Sequence, residues 1–177
     1  TSGYAGGTSK EATYKQVSTG KTGHAEAIKI TYNPDTVNLG KLLQIFFSVA
    51  HDPTQKNHQG NDMGTQYRSV AFVKNEAERK YVTDYIAQLT AAKSFKDPIV
   101  TTVENLGEFY TAEDYHQDYA AQNPDNPYIE GVAQPKVEKL KKSYPEMVKS
   151  KEKTPDLTVM QYHVTQSGGT EPAFNNA

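Results

Sequence analysis

Four side chains in this sequence have the chemistry to bind and protonate an oxygen atom: Glu26, Asp62, Tyr67 and Tyr14, with His24, His51 and His58 close by in sequence. A carboxylic acid can give up a proton while phenol hydroxyls hydrogen-bond the oxygen that receives it. The set therefore suits a polar oxygen on a small substrate that some other group attacks. That attacking group is not among them. Metal binding is a rival reading, since His51, Asp52, His58 and Asp62 are all possible ligands, but their spacing matches no compact helical or strand-based metal site. Hydrolysis by paired carboxylates, with Glu26 and Asp62 as acid and base, is a second rival whose test is the distance between them. Tyrosine also fills cores and surfaces, and for Tyr14 and Tyr67 taken singly that is the ordinary role.

The elements that must position these groups can be read in part. HDPTQKNHQGNDMGTQYRS, residues 51–69, is too polar and too long for a mere connector; Gly60 and Gly64 bracket Asn61 and Asp62 ahead of Tyr67. YRSVAFV, residues 67–73, reads as a strand apolar on both faces and hence interior, with Tyr67 at its start. In HAEAIKITY, residues 24–32, Ile28, Ile30 and Tyr32 alternate with Lys29 and Thr31 at the period of a strand. Carried backwards, that parity puts Glu26 and His24 on the core face, where desolvation raises a carboxyl pKa and makes it a proton donor near neutral pH. A later start to the strand would instead leave Glu26 exposed at its mouth.

Around these lie helix signals. Asn38 caps a stripe of Leu39, Leu42, Leu43, Phe46, Phe47 and Val49, and Asn75 with Glu78 opens a second stripe of Ala77, Tyr81, Val82, Tyr85, Ile86 and Leu89. Residues 99–103 form a short β-branched strand. Thr111 with Asp114 predicts a helix over residues 112 to about 121, ended by Pro124 and Pro127. A last helix starts near Pro135 with Val137, Leu140 and Tyr144 on one face. Residues 1–8, TSGYAGGT, read as a turn-rich opening. Strands alternating with helices indicate an α/β arrangement.

Composition narrows the classes. Gly20-Lys21-Thr22 resembles the end of a phosphate loop, but Lys15 stands where that motif needs glycine. Hydrophobic residues make up 36% and charged residues 23%, with net charge -2, and twelve Tyr with six Phe supply apolar area for a globular core. The densest lysine cluster, residues 136–142, is offset by Glu138 and reads as a solvated helix face, so no nucleic-acid footprint is expected. No apolar run has the length to cross a bilayer. The absence of cysteine excludes disulfides, thiolate metal sites and a cysteine nucleophile within these residues. Beginning at Thr1 inside a glycine-rich stretch, the chain is expected to be a segment of a longer protein. KSKEKTPD, residues 149–156, reads as a charged linker, and residues 157–177 are too short to fold alone.

GYAGG (residues 3–7), ATYKQV (12–17), TGHAEAIKITYNP (22–34), DPTQKNHQGNDMGTQYRS (52–69) and EDYHQDY (113–119) resemble peptide methionine sulfoxide reductase of the A type, over residues 1 to about 148. The resemblance implies an α/β (α+β) fold, a two-layer mixed sheet packed with helices around a ferredoxin-like core. It also implies reduction of methionine S-sulfoxide, free or in peptides, in the repair of oxidised proteins. In that family a cysteine in a GCFWG motif attacks the sulfoxide sulfur while a Glu and two Tyr hydroxyls hold and protonate the departing oxygen. Carried over by motif, Glu26 of TGHAE is the acid, Tyr14 of ATYKQV and Tyr67 of GTQYRS bind the oxygen, and Asp62 of GND is the supporting acid.

The GCFWG segment lies upstream of GYAGG in the family, so the nucleophile and the Phe-Trp methyl pocket fall outside this sequence. Where many members carry a Gly-Tyr-Cys tail after Asn-Pro, this chain has Asn126-Pro127-Tyr128-Ile129. The resemblance implies no cofactor in this chain, no metal, and an external reductant, thioredoxin or another thiol. VMQYHVTQSGGTEPAF resembles the opening of the B-type reductase. The expected organisation is thus an A-type domain at 1–148, a linker at 149–156 and the start of a B-type domain at 157–177. This chain alone is expected to be inactive; the alternative is a cysteine-free binding or interaction module that keeps only the sulfoxide-binding wall.

Overall fold

The strand at the centre of the fold is one that glycine-rich composition conceals. In the computed structural model, which describes residues 1–148, β1 (Ser2–Ala5) is buried along its whole length. It lies between two antiparallel neighbours, β2 (Ala25–Ile28) and β7 (Phe109–Thr111). The turn-rich reading of residues 1–8 is therefore corrected, and the reason is steric. A Cβ on Gly3 would run into the carbonyl oxygen of Tyr110 and the ring of Phe109, so glycine here serves close strand approach rather than a turn. The register sets Tyr4 opposite Glu26 on one side and opposite Tyr110 on the other, which puts the three side chains in one row on one face.

β2 is shorter than the alternation predicts and ends at Ile28, leaving Ile30 and Tyr32 half-buried beyond it. The parity of Glu26 nevertheless holds: it is 3% exposed, and the exposed-mouth alternative is excluded. Before β2 comes α1 (Tyr14–Val17), a single turn that buries Val17. After it, α2 (Leu39–Ile45) starts where Asn38 accepts the Lys41 N–H at 2.9 Å, and it continues into a π turn over Phe46–Ala50.

The polar stretch 51–69 contains a hairpin of β3 (His58–Gln59) and β4 (Asp62–Met63), then a 3-10 turn over Thr65–Tyr67. Tyr67 thus sits in a tight turn, not in a strand. The strand that follows, β5 (Val70–Val73), pairs in parallel with β6 (Thr102–Asn105) and buries only Val73 fully. Among the described residues β5 has no second strand neighbour, so the interior-strand expectation is corrected: Ala71 and Val73 pack in a cluster with Leu43, Phe47 and Val82 instead of lying deep in a wide sheet.

α3 (Glu76–Ala91) is as its caps predict. Asn75 accepts the Glu78 N–H at 2.9 Å, while the Glu78 carboxylate accepts the Lys74 N–H at 2.8 Å. The helix expected over 112–121 is instead a 3-10 turn at Asp114–His116 and the short α4 (Tyr119–Gln122), interrupted at Asp118, which is left-handed at φ 58°. Helical turns resume before Pro135, through a π turn at Ile129–Ala133, and run on as α5 (Gln134–Ser143).

Three apolar clusters hold these parts together. Tyr4, Val17 and Ala112 carry Tyr14, Tyr67 and Tyr110; Leu43, Phe47, Val73 and Val82 join α2, β5 and α3; Ile45, Val49, Leu140 and Tyr144 seat α5 on α2 and its π turn. The elements make an α+β fold in which β1 is the shared floor of the first cluster. The linker and B-type readings of residues 149–177 lie outside the described residues.

A Gly3→Ala substitution is expected to destabilise the protein by about 3 kcal/mol or more, because backbone cannot yield as a flexible side chain can. Urea denaturation followed by far-UV circular dichroism measures it, and a loss near zero would contradict the close-approach role of Gly3.

Candidate active site

Residues 51–69 are closed on themselves by their own ends. The His51 Nδ1–H donates to the Phe46 carbonyl at 3.0 Å, which leaves Nε2 to accept the Ser69 hydroxyl at 2.6 Å; Ser69 Oγ in turn accepts from the Thr101 hydroxyl at 2.7 Å. This arrangement uses the neutral ring. Burial accordingly pulls the His51 pKa down to about 4, outweighing the Phe46 carbonyl and Asp52, which favour the proton. Inside the loop, Asp52 accepts from Thr54 and Gln55, and Gln59 exchanges bonds with the backbone of Asp52. Gly64, at φ 144°, lets the chain leave the hairpin and enter the Thr65–Tyr67 turn, where a side chain would meet Gln66.

That turn is fastened to the two segments that carry the other named groups. Thr65 Oγ1 donates to the Gly20 carbonyl at 2.7 Å and Gln66 Nε2 to the Ser18 carbonyl at 3.2 Å, both just past α1. Arg68 forks onto Glu104 through Nε at 3.1 Å and Nη2 at 3.0 Å, and also donates to the carbonyls of Thr65 and Gly23. Burial alone would raise the Glu104 carboxyl, but Arg68 and Thr102 hold it below the usual carboxylate range. One guanidinium thus ties the Tyr67 turn to the loop before β2 and to β6.

Glu113, from the EDYHQDY block, does the equivalent work on the opposite side. Its carboxylate accepts the Tyr4 hydroxyl and the Tyr14 N–H, each at 2.8 Å, and the buried His116 ring packs against Tyr14 at a tilt of 52° with centroids 4.8 Å apart. Burial opposes the Glu113 charge, yet the Tyr14 and Tyr4 donors with His116 keep its pKa low. Burial, then the bond to Glu113, drives the Tyr4 phenol far above its ordinary value.

Three of the residues named for oxygen chemistry are grouped around Tyr4. Tyr14 and Tyr67 pack on the cluster around Tyr4, Glu26 is opposite Tyr4 in the sheet, and β2 packs against the Tyr67 turn. Asp62 arrives from β4. The histidines divide differently: His24 is buried with Nε2 donating to the Thr8 carbonyl at 3.0 Å, and His51 closes the loop, so both serve the framework. Among the described residues, no group of three or more His, Asp or Glu is placed to hold a metal ion.

Sequence reasoning missed two residues here. The Tyr128 hydroxyl donates to Asp62 Oδ2 at 3.5 Å, and Tyr128 also feels the charges of Tyr67 and Glu26; burial first, then Asp62, pushes its phenol well above the normal range. Lys136, expected on a solvated face, is half-buried and within electrostatic reach of Asp62 and His51. Burial lowers its pKa to about 8, with Asp62 opposing that fall and Lys139 adding to it. The only sequence signal was position: Tyr128 follows the Asn126-Pro127 pair already noted, and Lys136 follows Pro135.

The profile of the family described as peptide methionine sulfoxide reductase matches residues 1–148. Peptide methionine sulfoxide reductase MsrA 2 of Mesorhizobium japonicum is 51% identical over 150 residues, which cover 85% of this chain and 77% of that protein. MsrA of Trichodesmium erythraeum is 44% identical over 147 residues, covering 83% and 82%. Among solved structures, reduced Mxr1 from Saccharomyces cerevisiae aligns at a TM-score of 0.65 and 37% identity over 71% of each chain. Methionine sulfoxide reductase A of Corynebacterium diphtheriae aligns at 0.57 and 38% identity, covering 70% of this chain and 62% of that one.

Two outcomes follow from the geometry. Arg68→Lys keeps the charge but not the fork, and should cost about 1–3 kcal/mol in urea denaturation; an unchanged midpoint would remove Arg68 as the clamp. For His51 the folded pKa of about 4 lies below the ordinary 6.5, so its contribution is complete above pH 6.5 and is lost as pH falls towards 4. The loss is about 3 kcal/mol. The His51 ring resonances should not titrate until near pH 4; a midpoint near 6.5 would contradict the buried neutral ring.

Proposed function

The chain belongs to the peptide methionine sulfoxide reductase family, a family of oxidoreductases, and from that premise we propose that these residues form the oxygen-handling wall of a methionine S-sulfoxide reductase. Glu26 is the acid, Tyr14 and Tyr67 hydrogen-bond the sulfoxide oxygen, and Asp62 supports the site. The observation that carries the reading is the burial of Glu26 at 3% exposure in a row with Tyr4, beside the turn that holds Tyr67. A carboxyl group withdrawn from water favours the protonated form that a donor needs, and phenols pack beside it as hydrogen-bonding groups.

The reaction needs a thiol, and the 177 residues contain no cysteine. The attacking thiolate is therefore to come from a GCFWG segment outside these residues. It attacks the sulfoxide sulfur to form an S–S bond while Glu26 gives its proton to the oxygen; the protonated oxygen then passes to the cysteine sulfur as the S–O bond to methionine and the new S–S bond break. Methionine leaves reduced and the cysteine is left as the sulfenic acid, carrying the oxygen. An external dithiol such as thioredoxin then releases that oxygen as water and becomes a disulfide. We further read residues 149–156 as a linker and 157–177 as the start of a B-type domain, a reading supported by VMQYHVTQSGGTEPAF and by a family match that stops at residue 148.

The absence of cysteine also favours a second reading, a module that binds methionine sulfoxide without reducing it. One set of assays separates the two. The 177-residue chain should give no turnover of a methionine S-sulfoxide peptide with dithiothreitol. A chain extended by a GCFWG-bearing segment before Thr1 should reduce it, and Glu26→Gln in that longer chain should lower kcat/KM by about 10²-fold or more. Turnover by the cysteine-free chain would overturn the thiol mechanism. Failure of the extended chain, with binding intact, would favour the module.

A further inference from the structure

The helical stretch 127–143 contributes a wall to the site that neither the family motifs nor the residue patterning assigns. Tyr128, near its start, donates its hydroxyl to Asp62 Oδ2 at 3.5 Å. Lys136 lies about two turns further along the same stretch, beyond the π turn at Ile129–Ala133; it is half-buried, and its charge interacts with that of the same carboxylate. We propose that Tyr128 and Lys136 are positioning residues for Asp62: a phenol and an ammonium from one helical stretch hold the Asp62 carboxylate ionised and fixed in orientation beside Glu26 and Tyr67.

The electrostatics agree with that geometry. Burial raises the Asp62 pKa, and the Tyr128 bond and the Lys136 charge both act against the rise. Reciprocally, Asp62 is the group that resists the fall in the Lys136 pKa, whereas burial and Lys139 promote it. His51 faces Lys136 from the loop side and is neutral, so it does not compete with Asp62 for the ammonium. Around Tyr128, burial first and then the Asp62 charge oppose ionisation of the phenol, which keeps it a donor. The value of the arrangement for sulfoxide reduction rests on the reading given above: an ionised Asp62 leaves Glu26 as the carboxyl group that carries the transferable proton.

The test is a carboxyl ¹³C NMR titration of Asp62 in the 177-residue chain, which needs neither nucleophile nor substrate. In the unaltered chain the Asp62 resonance should show its own titration and a second inflection near pH 8, where Lys136 loses its proton. Lys136→Met should abolish the second inflection and shift the Asp62 midpoint upward. Lys136→Arg should abolish the inflection but leave the midpoint in place, because guanidinium stays charged. Tyr128→Phe should shift the midpoint upward and keep the inflection. Absence of the pH 8 inflection in the unaltered chain overturns the proposal without any variant having to fold, as does an unmoved midpoint in a folded Lys136→Met chain. Loss of sulfoxide binding would bear on the reductase reading alone, since the NMR result does not depend on it.

Discussion

The bond between His51 and Ser69 closes the stretch that delivers half of the site. Bringing the ends of a long polar loop together costs chain entropy, and the ends meet here through a buried, neutral imidazole held between a backbone carbonyl and a hydroxyl. Ser69 passes the bond on to Thr101, and the backbone beside it pairs with Thr102, so the closure is anchored to the strand next to β5. Protonation of the ring would replace an acceptor by a donor in a buried place. The fold therefore couples the geometry of the Asp62 hairpin and the Tyr67 turn to the protonation state of a residue that takes no part in the oxygen chemistry.

On that closed loop the remaining contacts are convergent. Arg68 joins the Tyr67 turn to the carbonyl of Gly23 just ahead of β2, and Glu113 joins Tyr4 of the central strand to the backbone of Tyr14. Two ionic groups on opposite sides thus set the positions of two phenols around Glu26. Both lie where they are partly shielded from water, which strengthens their bonds relative to surface pairs and limits the motion of the groups they hold. Tyr4, Tyr14 and Tyr67 meet as packed rings as well as hydrogen-bonding groups, so apolar burial contributes to the same placement.

The C-terminal helical stretch shows how composition can mislead about a face. The lysines of 136–142 have the charge pattern of a solvated surface, and Lys141 with Glu138 forms an exposed pair of that kind at 2.7 Å. Lys136 does not: on the helix whose Leu140 and Tyr144 pack against α2 it is half-buried, and its charge acts on Asp62. A long aliphatic stem lets such a side chain be half-buried while its ammonium finds a carboxylate.

The sequence by itself determined the local physics of the site. Strand parity put Glu26 on the core face, Asn38 and Asn75 marked helix starts that hold to the residue, and the absence of cysteine excluded a thiol nucleophile within these residues. The motif blocks named Tyr14 and Tyr67, which pack on one cluster, and Asp62, which accepts from Tyr128. These are properties of neighbouring residues, legible because period and capping act over one or two turns. Tertiary structure alone decided the central role of β1, where Gly3 answers to Tyr110 and Phe109 more than a hundred positions away, and the closure of the loop by His51 and Ser69. It also decided the service of Glu113, Tyr128 and Lys136. Each of those depends on which distant segment lies across the gap, and no periodicity in the chain encodes the identity of a partner brought there by packing.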